Sequence, residues 1–164
     1  EHPDYQLHLE ETDFNEFVKS FFAEKYMEIA EGGFQLSADM EDTPIHLMLD
    51  RRLIRRLLEN LLSNAIKYNK KGTTIYISMD KRGSDAVLTI ADDGTGIPED
   101  IAQSLFQPFV TGNHARTTGK GTGLGLSIAQ RIVQMHRGRM ELVCPPHKPY
   151  HTEFCIQLPI PKNE

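Results

Sequence analysis

Three short clusters in this chain carry residue types whose spacing can do chemistry. In the first, Asn60, Asn64, Lys67 and Tyr68 recur at three- and four-residue intervals through a leucine-rich run. At 100° per residue they fall within an arc of roughly 100° at the edge of an apolar helical face. Asparagine is a mediocre helix former, so two of them at i and i+4 beside leucines require a reason. Amide oxygens offered to a hydrated Mg²⁺ supply one, because this hard ion takes oxygen ligands and shares them with phosphates. A pair of solvent-facing amides is the plain alternative.

The second cluster is Asp92-Asp93-Gly94-Thr95-Gly96-Ile97-Pro98, at the end of an apolar run. A carboxylate followed by two glycines that let the backbone approach closely suits a donor group such as an exocyclic amine, and a tight acidic turn is the other reading. The third is Gly119-Lys120-Gly121-Thr122-Gly123-Leu124-Gly125-Leu126. Glycines on alternate residues before a helix offer unpaired N–H groups and the positive helix end to phosphate. Lys120 is followed by Gly121 rather than Ser or Thr, and Leu124 stands where a third glycine of a dinucleotide fingerprint would be, so neither of those motifs is present. A flexible linker is countered by the apolar helix that starts at once.

The elements that must position these clusters are legible from periodicity. Phe14, Phe17, Val18, Phe21, Phe22 and Ile29 give a helix over residues 12–30, capped by Thr12 or Asp13 and stopped by Gly32-Gly33. Strands are expected around Phe34-Leu36 and Ile45-Leu49. Asp50 opens a second helix running to Asn69, with Leu57, Leu61, Ile54, Leu58, Ala65 and Leu62 on the face toward a sheet and Lys70-Lys71-Gly72 ending it. Strands at 74–80 and 85–92 form a hairpin about Lys81-Arg82-Gly83-Ser84, a third helix runs from Leu124 to His136, and strands near 139–143 and 153–158 follow. Many strands with few helices predict an α+β two-layer sandwich, a mixed, mostly antiparallel sheet with about three helices on one face. Seven glycines between Gly94 and Gly125 mark a long loop of the kind used as a lid.

The 164 residues suit one domain with a sizeable core. Eighteen Lys+Arg against 23 Asp+Glu give a net charge of -5, which argues against a broad nucleic-acid or anionic-lipid surface and leaves any anion site local. No run of eighteen apolar residues is present and the acidic opening is not a secretion signal, so neither nucleic acid nor direct membrane contact is expected. Cys144 and Cys155 make no disulfide framework and read as reduced thiols of an intracellular protein.

Taken in order, Asn60-x-x-x-Asn64-Ala65-x-Lys67-Tyr68, Asp92-x-Gly94-x-Gly96, Phe106-x-Pro108-Phe109 and Gly121-x-Gly123-Leu124-Gly125-Leu126 resemble the catalytic ATP-binding domain of bacterial sensor histidine kinases. That domain has the Bergerat fold shared with gyrase, heat-shock chaperone ATPases and mismatch-repair proteins. The resemblance covers residues 7–160 and implies one catalytic domain over 1–164, with a mobile ATP lid over about 98–120 hinged near Phe106-Pro108-Phe109. It implies ATP and Mg²⁺ as cofactors, with Asn64 on the metal and Asn60 supporting metal or phosphates. Lys67 would neutralise phosphate charge, Tyr68 would lie against adenine, and Asp92 would accept from the adenine amine. Gly94 and Gly96 would let the base approach, and Ile97 and Phe109 would contact the nucleotide. Arg116 and Lys120 would swing onto the triphosphate, capped by the backbone of Gly121, Thr122, Gly123, Leu124 and Gly125. Asn60, Asn64, Lys67 and Lys120 would be the catalytic group.

The family's His-Gly-Gly appears as His136-Arg137-Gly138, and its Gly-Thr-x-Phe as His151-Thr152-Glu153-Phe154. Both departures are expected to alter turns away from the nucleotide. His147 and His151 are read as loop residues rather than a metal pair, since Pro149 lies between them. His8-Leu9-Glu10-Glu11, on an expected strand, lacks the proline of a phosphoacceptor segment. The acceptor histidine is therefore expected on a separate dimerisation hairpin, with a response regulator as indirect partner. The isolated domain is expected to be a monomer, the cytoplasmic part of a longer, membrane-anchored sensor. Asn60 stands where hydrolytic relatives carry a glutamate base, and adjacent Glu59 is rotated away by roughly 100°, so slow hydrolysis is expected. An anti-sigma serine kinase of the same superfamily and a partner-binding module that no longer uses nucleotide are the rival readings.

Overall fold

The longest amphipathic segment forms α2 (Arg51–Lys67), with the Asp50 side chain accepting the Leu53 N–H at 3.2 Å as its cap. Ile54, Leu57, Leu58, Leu61, Leu62 and Ala65 are buried, as the wheel requires. The helix ends two residues earlier than its pattern, at Lys67, with Tyr68 as the C-cap. A computed structural model describes residues 6–102, 105–106 and 125–162.

Around α2, β1 (Glu10–Asp13) leads into α1 (Phe14–Glu31), and β2 (Gln35–Asp39) and β3 (His46–Leu49) follow. Asp13, not Thr12, caps α1, accepting the Glu16 N–H at 3.2 Å, while the Thr12 hydroxyl donates to the Glu10 carbonyl. After α2 come β4 (Thr74–Arg82), β5 (Asp85–Asp92) and the single turn α3 (Glu99–Ala102). The helix α4 (Gly125–Met135), β6 (Arg139–Leu142) and β7 (Thr152–Pro159) complete the described elements.

One sheet has the order β2-β4-β5-β7-β6, parallel only between β2 and β4, and β1 pairs with β3 in a separate antiparallel ribbon. His8, expected on a strand, precedes β1, and its N–H donates to the Asp50 carboxylate at 3.0 Å. Alternation sorts the sheet: Ile75, Ile77, Leu88, Ile90, Phe154 and Ile156 join the buried residues of α1, α2 and α4 in one core. This is the two-layer, mostly antiparallel α+β sandwich that the pattern of elements predicts.

Helix α4 runs antiparallel to α2, and a buried histidine fastens their ends. His136 Nε2 accepts the Asp50 N–H at 3.0 Å, while Nδ1 donates to the Ile132 carbonyl at 2.8 Å, an arrangement that specifies the neutral tautomer with the proton on Nδ1. The next residue, Arg137, has φ 63°, a left-handed conformation that costs a side-chain-bearing residue about 1–2 kcal/mol. Arg137→Gly removes that cost, less glycine's own entropic penalty, and is expected to stabilise the chain by about 0.5–1 kcal/mol. Urea unfolding checks this, with a higher midpoint at unchanged slope.

Candidate functional site

The polar edge of α2 is the common wall of the site. Asn60 is half-buried and its Nδ2 donates to the Gly125 carbonyl at 3.3 Å, so this helix meets the last glycine of the third cluster at the start of α4. Asn64 is half-buried one turn on along the same edge, and its carbonyl accepts the Tyr68 N–H at 3.3 Å. Tyr68 is half-buried at the helix end, whereas Lys67 is exposed. Lys67 also borders a cleft of about 300 Å³ toward α1, together with Lys25, Glu28 and Glu59. Glu59 points away from Asn60, as its helical position requires, and pairs with Arg55 Nε at 3.4 Å.

Asp92 ends β5 and Asp93 follows it, and the two have separate work. Asp93 accepts the Thr74 N–H at 2.8 Å and the Tyr76 hydroxyl at 3.4 Å, which ties it to β4. Asp92 shares the parity of Ile90 and therefore faces the helical layer, 5% exposed. One of its carboxylate oxygens accepts the Gly94 N–H at 2.9 Å. Burial raises the Asp92 carboxyl above the usual carboxylate range, against hydrogen bonds from the Gly94 N–H and the Asn69 side chain that favour its ionised form. Gly96 takes φ +80°, and a Cβ there would lie 3.2 Å from the His151 carbonyl oxygen. Gly94 has no room for a Cβ, which would overlap the Asn69 carboxamide outright. Ile97 is half-buried against the core, and the Phe106 ring meets Phe154 edge-on at 6.2 Å.

The structure thus brings together Asn60, Asn64, Gly125 and, past the end of α2, the turn from Asp92 to Gly96. Phe109, Arg116, Lys120, Gly121, Thr122, Gly123 and Leu124 lie outside the described residues, as does most of the expected lid. Three residues escaped the sequence reading. Thr152 is the register partner of Asp92 and, sharing the parity of Phe154, turns its buried side chain to the same face. His151 was expected away from the site, yet its Nδ1 donates to the Gly94 carbonyl at 2.7 Å and its N–H to the Asp92 carbonyl at 2.8 Å. Antiparallel pairing of β5 with β7 forces that juxtaposition, so the departure at His151 lies against the Asp92 turn rather than away from it. Asn69 follows the helix cap and accepts the Thr95 N–H at 3.1 Å. His147 pairs separately with Glu153, 3.0 Å from its carboxylate.

The donor set fits a phosphate-bound cation better than a protein-caged one. Among the described residues no three His, Cys, Asp or Glu side chains converge to hold a metal, and the polar edge of α2 supplies neutral amides instead. Such ligands suit Mg²⁺, which keeps waters and takes its charged ligands from phosphates. Cys144 is exposed and Cys155 buried, both free, and no described helix is long and apolar enough to cross a membrane.

Known proteins share this architecture. Residues 49–162 match the family described as histidine kinase-, DNA gyrase B- and HSP90-like ATPase. The sensor histidine kinase YcbM of Bacillus subtilis (strain 168) is 31% identical over 160 residues, covering 96% of this chain and 50% of that protein. The catalytic domain of histidine kinase ThkA has a TM-score of 0.80 at 24% identity, over 94% of this chain and 97% of that one. Full-length ShkA in complex with AMPPNP has a TM-score of 0.79 at 20% identity, over 97% of this chain and 32% of that one. At these identities the two structural likenesses are of fold. The chain spans half or less of the length of the curated relatives it matches.

The raised Asp92 carboxyl has a consequence for stability. Its ionised form is worse off in the folded chain than in the unfolded one, a penalty present above the folded value and lost as pH falls below the unfolded value of about 4. Asp92→Asn keeps an acceptor for the Gly94 N–H and removes the charge. It is expected to melt higher than wild type at pH 7 by differential scanning calorimetry, with the gain fading toward about pH 3.

Proposed function

Because the chain belongs to the histidine kinase-, DNA gyrase B- and HSP90-like ATPase family, we propose that it is the ATP-binding, phosphoryl-donating part of a two-component sensor histidine kinase. The observation that carries this reading is the placement of a buried carboxylate, Asp92, at one end of a helix edge that presents Asn60 and Asn64 and touches Gly125 at the other. From Asn60 to the cap at Tyr68 is eight residues, roughly 12 Å along the helix, and Asn69 lies just beyond, so an occupant touching both ends is elongated. One end offers an acceptor for an exocyclic amine, and the other offers amides and a glycine-rich helix start to phosphate.

In this role Asp92 accepts from the adenine amine, with Thr152 beside it, and Gly94, Gly96 and Ile97 bound the base. Tyr68 lies along it. Asn60 and Asn64 orient the phosphates, with Asn64 holding Mg²⁺, and Lys67 neutralises phosphate charge. When bound, the ion withdraws charge from the phosphoryl oxygens. On this reading Phe109 contacts the nucleotide, Arg116 and Lys120 neutralise the triphosphate, and the backbone from Gly121 through Thr122, Gly123 and Leu124 to Gly125 caps its oxygens. Phosphoryl transfer depends chiefly on positioning and charge neutralisation, and no general base stands at Asn60 to activate water. The chain therefore holds its nucleotide with little hydrolysis and donates the γ-phosphoryl group to a histidine on a dimerisation hairpin, for onward passage to a response regulator. We place it on the cytoplasmic side of its membrane and as a monomer in isolation. The named relatives are sensor kinases, which favours this acceptor over the serine of an anti-sigma antagonist.

Calorimetric titration with AMPPNP, with and without Mg²⁺, tests the reading. The wild type is expected to bind, Asp92→Ala to lose at least about tenfold in affinity, the order of about 1.4 kcal/mol for a hydrogen bond to a charged group, and Asn64→Ala to lose mainly the Mg²⁺-dependent part. A folded wild type that binds nothing contradicts it.

A further inference from the structure

Side chains outside all four motifs hold the turn after Asp92 from both sides. Asn69 stands just beyond the cap of α2, where its Nδ2 donates to the Ala65 carbonyl at 2.8 Å and extends the helical ladder by one bond. Its Oδ1 accepts the Thr95 N–H at 3.1 Å. From the other side, at the start of β7, His151 Nδ1 donates to the Gly94 carbonyl at 2.7 Å. The Gly94 carbonyl and the Thr95 N–H belong to one planar peptide unit and point in opposite directions across it. Asn69 and His151 therefore grip the two edges of a single peptide plane.

That grip reaches the carboxylate directly. The Gly94 N–H on the preceding peptide unit donates to Asp92 Oδ1 at 2.9 Å, and the His151 N–H donates to the Asp92 carbonyl at 2.8 Å. Glycine at 94 leaves this peptide free to rotate in an unrestrained chain. The Asn69 carboxamide occupies the space a Cβ on Gly94 would take, so the tight turn and the asparagine are mutually dependent.

We propose that Asn69 and His151 are positioning residues for base recognition: they clamp the Gly94–Thr95 peptide and so hold the Asp92 carboxylate in its amine-accepting orientation before nucleotide arrives. This rests on the nucleotide reading above. Neither side chain is assigned a contact with the ligand; His151 acts through the turn, and Asn69 acts both through the turn and through its side-chain hydrogen bond to the Asp92 carboxylate, reducing the ordering that binding would otherwise demand. Because Asn69 is fastened to the end of α2 through the Ala65 carbonyl, and α2 carries Asn60 and Asn64, the clamp also keeps the base end in fixed register with the phosphate end.

Titration of the whole chain with Mg·ATP and with Mg·purine riboside triphosphate, which lacks the exocyclic amine, separates positioning from general support. For Asn69→Ala and His151→Ala the expected result is a loss of about five- to tenfold for ATP and a much smaller loss for the analogue, so that the preference for the amine collapses toward unity. The double variant should lose less than the product of the single losses, because both act on one peptide. Equal losses for both nucleotides, or an unchanged preference, overturn the proposal. His151 is exposed, so His151→Ala decides the matter should Asn69→Ala fail to fold. A wild type that binds ATP with no preference for the amine also overturns it, whereas a wild type that binds neither nucleotide defeats the nucleotide reading itself.

Discussion

The rotational setting of α2 about its own axis is the constraint on which the remaining structure depends. Six buried aliphatic side chains lock one face of the helix onto the sheet, and that single choice aims Asn60 and Asn64 along the edge facing α4. A turn of roughly 100° would put Glu59 in place of Asn60 and bury charge. The setting is fixed from outside as well: Asp50 caps the helix, His136 grips the Asp50 N–H from α4, and Arg55 reaches both Glu24 and the Phe21 ring on α1. Packing and polar geometry here are one feature, since the leucines that stabilise the fold determine where the amides point.

Asp92 is where burial and charge oppose each other. A carboxylate with only 5% of its surface exposed is disfavoured in its charged form, and two hydrogen bonds offset that cost in part. Its neighbour Asp93 is spent on tying β5 to β4. The fold thus keeps one aspartate for support and leaves the other in a strained ionisation state facing the helical layer, the pattern expected where function, not stability, sets the residue.

Helical and strand periods made α1, α2, α4 and the central strands legible in the sequence, because each buries a regular apolar face. The motif spacing likewise singled out Asn60 and Asn64, which share one helix edge in the structure, and Asp92, which stands at the buried end of β5. The bounds of β1 were harder to read: the strand expected around His8–Glu11 in fact runs Glu10–Asp13, taking Thr12 and Asp13 from the expected helix, because its strand character comes from pairing with β3 rather than from apolar alternation. Asn69 was passed over, and His151 and Thr152, though matched to a family motif, were placed away from the site, for a related reason. Each meets the Asp92 turn across 26, 57 or 60 residues of sequence, through strand register or a helix end that no local pattern records. Arg137 shows the converse, a local departure from glycine that the chain tolerates by adopting a left-handed backbone.

The most direct test of the account is the backbone amide spectrum of the chain titrated with Mg·AMPPNP. The account predicts perturbed resonances along one line, from Gly125 and Asn60 through Asn64 and Tyr68 to the Asp92–Gly96 turn and Thr152, with α1 and the β1–β3 ribbon unmoved. Shifts gathered instead around Lys25, Glu28 and Ser63, in the cleft between α1 and α2, would contradict it.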